Sequence, residues 1–363
     1  MKEISKGLVA SRKSSEVRRG DKAINGRIEE AVSELRQDFA TREWVVIATE
    51  RAKRPHLFTS ARGEGEVSAW DENCPFCPGN ELRTAPEVFK IEGTQSSWRV
   101  RVVPNKYPAL TPEGSTTRKV EEEFFRRIEG VGVHEVIIES PLHNGLLALL
   151  DEAQIEQVLF TYRARYNALK PLPFIRFVSI FRNQGERAGT SLRHPHSQLV
   201  GTPVAPPYIR RKLETALQYY DDMGTCLYCD LFHHELEVGK RIVVETESFM
   251  VFHPYASRSP FETWIAPKKH QTSFGLISDE ELPELAGVLK DILRRLYKSL
   301  NNPDFNYVIC SSPTEDEYNQ YYDWHIVIIP RLTTPAGFEM GSGIYINTAL
   351  PEETAEFMRG VCL

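Results

Sequence analysis

Two C-x-x-C pairs, Cys74-Pro-Phe-Cys77 and Cys226-Leu-Tyr-Cys229, each open a stretch in which the same kinds of residue recur in the same order. After the first, Glu135-Val-Ile-Ile-Glu-Ser-Pro-Leu-His143 reads as a short apolar strand ending in Pro and His. After the second, Glu262-Thr-Trp-Ile-Ala-Pro-Lys-Lys-His270 has the same length, with Glu, Ile and His in the same places. At equal distances beyond the two histidines, Asp151 with Gln154 and Ser278 with Glu281 pair an N-cap residue with Gln or Glu three later. The helices predicted there carry apolar stripes at helical spacing: Ile155, Val158, Leu159, Tyr162 and Tyr166; then Leu285, Val288, Leu289, Ile292, Leu293 and Leu296. Each leads to a strand, 174–181 or 305–310, and then to a further histidine, His194 or His325.

A chain that repeats this order folds as two copies of one unit. Its 363 residues suffice for two domains of ordinary size. The predicted boundaries are an N-terminal arm at 1–36, a first unit at 37–201 and a second at 202–363. Strands outnumber helices and are joined by short turns, so the expected class is α+β, with helices packed on antiparallel sheets. The arm holds nine basic and six acidic residues with little periodicity. The runs 59–67 and 111–119, rich in Gly, Ser, Thr and Pro, read as exposed loops.

Composition narrows the function. With 44 Lys+Arg against 50 Asp+Glu, the net charge of −6 argues against a coat for nucleic acid or an anionic membrane. No apolar run nears the roughly 18–20 residues a membrane span needs. The first residues lack a signal peptide's apolar core, so a cytoplasmic protein is expected. In a reducing compartment, paired cysteines point to metal ligands or redox thiols rather than disulfides. The matched order assigns two Cys2His2 sets, each suited to a structural zinc ion: Cys74, Cys77, His143 and His194; then Cys226, Cys229, His270 and His325. Redox chemistry would leave the matched histidines unexplained. A zinc-ribbon binding module would sit poorly with the negative charge. His134, His233, His234 and His253 fall off the pattern and are expected to be ordinary polar residues, Cys310 a buried small hydrophobe.

The copies part where chemistry is expected. Past His194 the first reads His194-Pro-His196-Ser-Gln198; past His325 the second reads His325-Ile-Val327-Ile-Ile329. Alternate strand residues share a face, so His196 and Gln198 stand beside His194, where the second copy has only Val327 and Ile329. A neutral imidazole is a good nucleophile near pH 7. Attack on phosphorus splits one hard displacement into two. Gln198 donates a hydrogen bond but no proton, so the leaving group must already be a stable anion such as a phosphate. The preceding loop, Phe181-Arg-Asn183-Gln-Gly185-Glu-Arg-Ala-Gly189-Thr-Ser191, offers backbone N–H groups to anionic oxygens.

With N-Q-G-x-x-A-G-x-S before H-P-H-S-Q, C-P-F-C upstream and C-x-x-C downstream, the chain resembles the galactose-1-phosphate uridylyltransferase branch of the histidine triad superfamily from about Glu34 to Arg359. The resemblance implies two tandem histidine-triad-like repeats and ping-pong uridylyl transfer from UDP-glucose to a hexose 1-phosphate through His196, with Gln198 holding the phosphoryl group. It implies nucleotide and phosphate contacts at Arg51, Arg54, Asn105, Asn183, Gly189 and Ser191, and the first metal set as assigned above. It also implies a homodimer in which the partner completes the hexose pocket. Where the family has a Tyr-Glu pair and a nearby Gln for the hexose, this chain has Phe338, Glu339 and Asn347. Its Gly-Phe-Glu-x-Gly-x-Gly-x-Tyr-Ile-Asn pattern is similar to that of ADP-glucose phosphorylases, which implies adenylyl transfer to phosphate as the alternative.

Overall fold

In a computed structural model of the chain, residues 33–53, 67–94 and 97–363 are described. The described part opens with β1 (Glu34–Gln37) and β2 (Trp44–Ile47). Then come β3 (Phe89–Glu92), β4 (Trp98–Pro104), the hairpin β5 (Lys119–Glu121) and β6 (Phe125–Arg127), and β7 (Val133–Ile138). Helix α1 (Glu152–Leu169) leads to β8 (Phe177–Gln184) and β9 (His196–Thr202). Two helices follow, α2 (Pro207–Met223) and α3 (Leu227–Val238). The second half supplies β10 (Ile242–Glu245), β11 (Phe249–Phe252), β12 (Thr263–Pro267), α4 (Glu281–Ser299), β13 (Phe305–Cys310) and β14 (His325–Pro330). The chain closes with α5 (Gly337–Ser342), β15 (Tyr345–Asn347) and α6 (Pro351–Arg359).

Ten strands form one antiparallel sheet in the order β10-β11-β12-β14-β13-β8-β9-β7-β4-β3. The order reads the same from either edge: each half contributes five strands, and the halves meet where β8 pairs with β13, Phe181 opposite Val308. The class is α+β, as the strand and helix signals predict. A small sheet, β1-β2-β15, stands apart from it. Because β1 spans Glu34–Gln37 it straddles the expected 36/37 boundary, and β15 joins it from the far end of the chain. The 111–119 segment is exposed as expected, whereas the 59–67 loop lies outside the described residues except for Val67.

The helix stripes account for one face of the large sheet. Ile155, Val158, Leu159, Tyr162 and Tyr166 of α1, and Leu285, Val288, Leu289, Ile292, Leu293 and Leu296 of α4, enter one core with strands from both halves. Burying each such side chain contributes roughly 1.5–3 kcal/mol. Asp151 caps α1 by accepting the Gln154 N–H at 2.6 Å. Ser278 and Glu281 make the reciprocal capping bonds, Glu281 Oε2 accepting the Ser278 N–H at 2.8 Å, although α4 itself begins only at Glu281. The expected strand at 174–181 starts three residues late, at Phe177, because Ile175 and Phe174 lie in the turn closing on Leu172.

The opposite face differs between the halves. Over the second half lie α2 and α3, whose Ile209, Leu213, Ala216, Leu227, Tyr228 and Phe232 pack on Phe252, Trp264 and Val327. Over the outer strands of the first half lies the Cys74–Cys77 loop, with Phe76 among Trp98, Val103, Val136 and Ile138. Neither cover closes over β9, whose side chains alternate half-buried and buried from His196 to Thr202. Among the described residues no helix is long and apolar enough to cross a membrane.

Candidate active site and metal centres

The first Cys2His2 set comes together as expected. Cys77 Sγ lies 3.5 Å from His143 Nδ1 and 3.6 Å from His194 Nδ1, with Cys74 Sγ 3.7 Å from the latter. Ligands at zinc's usual bond lengths on a tetrahedron would have S–N edges of about 3.6 Å. All four residues are buried. Burial pushes the Cys74 thiol up to about 11, so an unassisted thiolate is disfavoured there and a cation is what would ionise it. His194 Nε2–H donates to the Ser140 carbonyl at 2.8 Å, which leaves Nδ1 free as the ligand atom. The residues present fit a metal.

The second set corrects the expectation. Cys226, Cys229 and His270 converge with Asp323, not with His325. Asp323 Oδ2 lies 3.5 Å from Cys226 Sγ and 3.2 Å from Cys229 Sγ, and Cys229 Sγ lies 3.4 Å from His270 Nδ1. His270 Nε2–H donates to the Asn319 carbonyl at 3.2 Å, again turning Nδ1 toward the cluster. The hydrogen bond from Cys229 lowers the Cys226 thiol to about 6, while Cys229 is pushed up. A carboxylate is an ordinary zinc ligand, so this set also fits a metal.

His325 has both ring nitrogens occupied elsewhere. Its Nδ1–H donates to the Asp323 carbonyl at 3.1 Å, and Nε2 accepts from Lys212 Nζ at 3.2 Å. The ring is fully buried and stacked on Trp264, centroids 4.3 Å apart. This is the arrangement of His196, whose Nδ1 lies 2.8 Å from the carbonyl of His194, two residues earlier and likewise a cluster residue. The true match between the halves is therefore His194 with Asp323 and His196 with His325, two residues off the register that the histidines suggest. Val327 is not the counterpart of His196. In the second half α2 places Lys212 on the imidazole, where the first half leaves His196 Nε2 without such a cover.

His196 opens β9 on the uncovered face. The only donor a neutral ring has for the His194 carbonyl is Nδ1–H, so Nε2 carries the lone pair. Burial lowers the basicity of the ring, which keeps it neutral. Phe76, between the two first-set cysteines, packs edge-on against it with centroids 5.5 Å apart. Gln198 shares its face one pleat along. Asn183 of β8 shares it too, and its Oδ1 accepts from Asn306 Nδ2 of β13 at 2.7 Å. Behind Asn183, Thr190 Oγ1 bonds the Asn183 carbonyl and Gly189 takes φ +87°, which glycine alone adopts without strain. Ser191 is exposed beside them. Asn105, just past β4, has its Oδ1 held by the Tyr107 N–H at 2.9 Å.

Other expected contacts stand elsewhere. Arg51 is exposed in the turn after β2, and Arg54 lies outside the described residues. Phe338 is 51% exposed on α5, with Glu339 Oε2 accepting the Ala336 N–H at 3.0 Å. Asn347 is buried in β15, where its Nδ2 donates to the Ser257 carbonyl and its Oδ1 accepts the Ala349 N–H, each at 3.0 Å. Since β15 pairs with β2, Arg51 and the Phe338–Asn347 segment both border the small sheet.

Two participants escape the sequence reading. Asp323 is hidden by the habit of matching histidine to histidine. His134, Nε2 2.8 Å from Gln198 Oε1, is hidden because the second half offers no histidine there. His253 and His233 do play plain structural parts, bonding Thr354 at 2.7 Å and Glu237 at 3.2 Å.

Residues 23–206 match the profile of the galactose-1-phosphate uridyl transferase N-terminal domain, and residues 212–346 match that of its C-terminal domain. The chain belongs to this family. Among its relatives, the galactose-1-phosphate uridylyltransferase of Thermotoga maritima is 30% identical over 90% of this chain and 98% of its own length. ADP-glucose phosphorylase of Arabidopsis thaliana is 37% identical over 93% of this chain and 95% of its own length. The crystal structure of an Arabidopsis ADP-glucose phosphorylase with bound ADP-glucose superposes with a TM-score of 0.78, at 35% identity over 92% of this chain and all of that one. As a member of the galactose-1-phosphate uridyl transferase family the protein is a nucleotidyltransferase.

Proposed function

We propose that the protein is a UDP-glucose–hexose-1-phosphate uridylyltransferase, of galactose-1-phosphate uridylyltransferase type, working through His196. The observation that carries this is the locked tautomer: with Nδ1–H bound to the His194 carbonyl, Nε2 presents its lone pair on the uncovered half of the sheet. Nε2 attacks the α-phosphorus of UDP-glucose; the N–P bond forms as the bond to the bridging oxygen breaks, and glucose 1-phosphate leaves as a stable anion. Positive charge then developing on the ring is met by the His194 carbonyl, a preorganised dipole. A phosphate oxygen of galactose 1-phosphate next attacks the same phosphorus, the N–P bond breaks, and His196 returns neutral. Gln198 donates its amide N–H to a non-bridging oxygen in both steps, and Asn105, Asn183, Gly189 and Ser191 contact the nucleotide and its phosphates. No acid is required in either direction.

In this reading each donor set holds a structural zinc ion, whose chemistry is to neutralise the thiolates and fix the chain around them. Cys74, Cys77, His143 and His194 would hold one; Cys226, Cys229, His270 and Asp323 the other. Zinc analysis checks the second set: Asp323→Ala should lower the content from about two ions per chain to about one, while His325→Ala should leave both. The protein acts as a cytoplasmic homodimer of two-unit chains, the border of the small sheet bringing Phe338 and Glu339 to the partner's hexose pocket, while Arg51 contacts the nucleotide or its phosphates. Asn347 holds that border in place.

A second reading, adenylyl transfer from ADP-glucose to phosphate, is favoured by the higher identity to ADP-glucose phosphorylase and by the Gly-Phe-Glu-x-Gly-x-Gly-x-Tyr-Ile-Asn pattern that ends at Asn347. Mass spectrometry after exposure to UDP-glucose and, separately, ADP-glucose decides between them. The leading reading expects a uridylyl adduct on the His196 peptide. An adenylyl adduct alone would replace it with the second, and an adduct elsewhere would overturn both.

A further inference from the structure

His134 of β7 belongs to neither metal set, yet its ring is held on both nitrogens. The Ala109 N–H lies 3.1 Å from Nδ1. A backbone N–H only donates, so Nδ1 accepts and the neutral ring carries its hydrogen on Nε2. That hydrogen points at Gln198 Oε1, 2.8 Å away. His134 and Gln198 are diagonal neighbours across the β7–β9 pairing, His134 opposite Val200 and Val136 opposite Gln198, so both side chains stand on the uncovered face. Asn105 Nδ2 lies 3.1 Å from the same ring nitrogen, with the Asn105 Oδ1 held by the Tyr107 N–H.

An unconstrained glutamine amide has two faces of nearly equal shape, one donating and one accepting. Accepting from His134 assigns Oε1 to the β7 side and leaves the NH2 group free to turn toward the strand start, where His196 stands. The reverse orientation would present a carbonyl oxygen to the α-phosphate, like charge against like. We propose that His134 is a positioning residue for nucleotidyl transfer, holding the Gln198 amide with its donor toward the reacting phosphoryl group. This rests on the His196 reading above.

The test is single-turnover adduct formation with whichever of UDP-glucose and ADP-glucose labels His196, in the full chain. His134→Leu removes the donor and should slow adduct formation about 10–100-fold, less than loss of a direct oxyanion donor. The nucleotide-sugar concentration for half-maximal rate should move by less than about threefold, because what is lost acts in the transition state. His134→Gln restores an N–H at similar reach and should recover most of the rate. On a Gln198→Leu background His134→Leu should add no further loss, since the two act as one unit. Should His134→Leu not fold, His134→Met against His134→Gln makes the same comparison. A wild-type rate in the leucine or methionine variant, no recovery in His134→Gln, or losses that multiply in the double variant would overturn the proposal while leaving the nucleophile intact. If neither nucleotide sugar labels His196, the parent reading fails and takes this one with it.

Discussion

Replacing His196 with alanine should stop both half-reactions, lowering turnover by about four orders of magnitude or more. The size follows from what the ring supplies. Without it the nucleotidyl group has no covalent carrier, and the displacement must go directly between two phosphate anions that repel each other. Gln198, Asn183 and the Gly185–Ser191 loop would still bind the nucleotide, so affinity for the nucleotide sugar should change far less than turnover. The checks are steady-state transfer and adduct formation, run beside far-UV circular dichroism to show an intact fold. Transfer at a tenth of the wild-type rate in His196→Ala would end the covalent reading. The same substitution at His325 should leave turnover nearly unchanged, because Lys212 and Trp264 already exclude substrate from that imidazole.

Cys77→Ser should cost metal, stability and activity together. Cys77 Sγ touches both histidines of the first set, so its loss opens the cluster at its centre. Structural zinc binding is largely folding free energy, with apparent values of about 10–16 kcal/mol in small peptides. Losing even a third of that would lower the melting temperature by roughly 4–7 °C in a chain of this size. The catalytic effect is mechanical. Phe76 lies between the two cysteines and rests against His196, and the His194 carbonyl holds His196 Nδ1. Freeing the loop removes both supports from the nucleophile. Metal analysis and calorimetry should therefore show one ion lost, a lower transition and slow transfer in the same variant; full activity with one ion missing would separate the centre from the site.

How much of this was legible in the chain depended on what kind of signal carried it. Periodicity carried the helices: every apolar residue read onto the stripes of α1 and α4 is buried in the common core. Alternation carried β9, where His196 and Gln198 share the open side. The first donor set was legible because its four residues are all of the types that zinc prefers. The second was legible only in part. A motif search weights histidine over aspartate, and His325, two residues from Asp323, offered itself first. Only the three-dimensional register shows that His325 stands in the nucleophile's place with a lysine upon it. His134 was beyond sequence reading because its importance lies in a hydrogen bond to one residue and a backbone amide from another, 64 and 25 positions away. No periodic or spaced pattern encodes that.

The pairing of β8 with β13 decides what would happen if the chain were divided. A half ending after β9 would expose β8, eight residues of mostly buried side chains, as a bare edge. Such an edge recruits another strand. Antiparallel pairing centred on Phe181 would let it recruit its own copy, rebuilding a sheet of the same ten-strand order from two identical pieces. The present molecule is the covalent form of that arrangement. Between the halves run α2 and α3, and α2 places Lys212 on the imidazole of the second half.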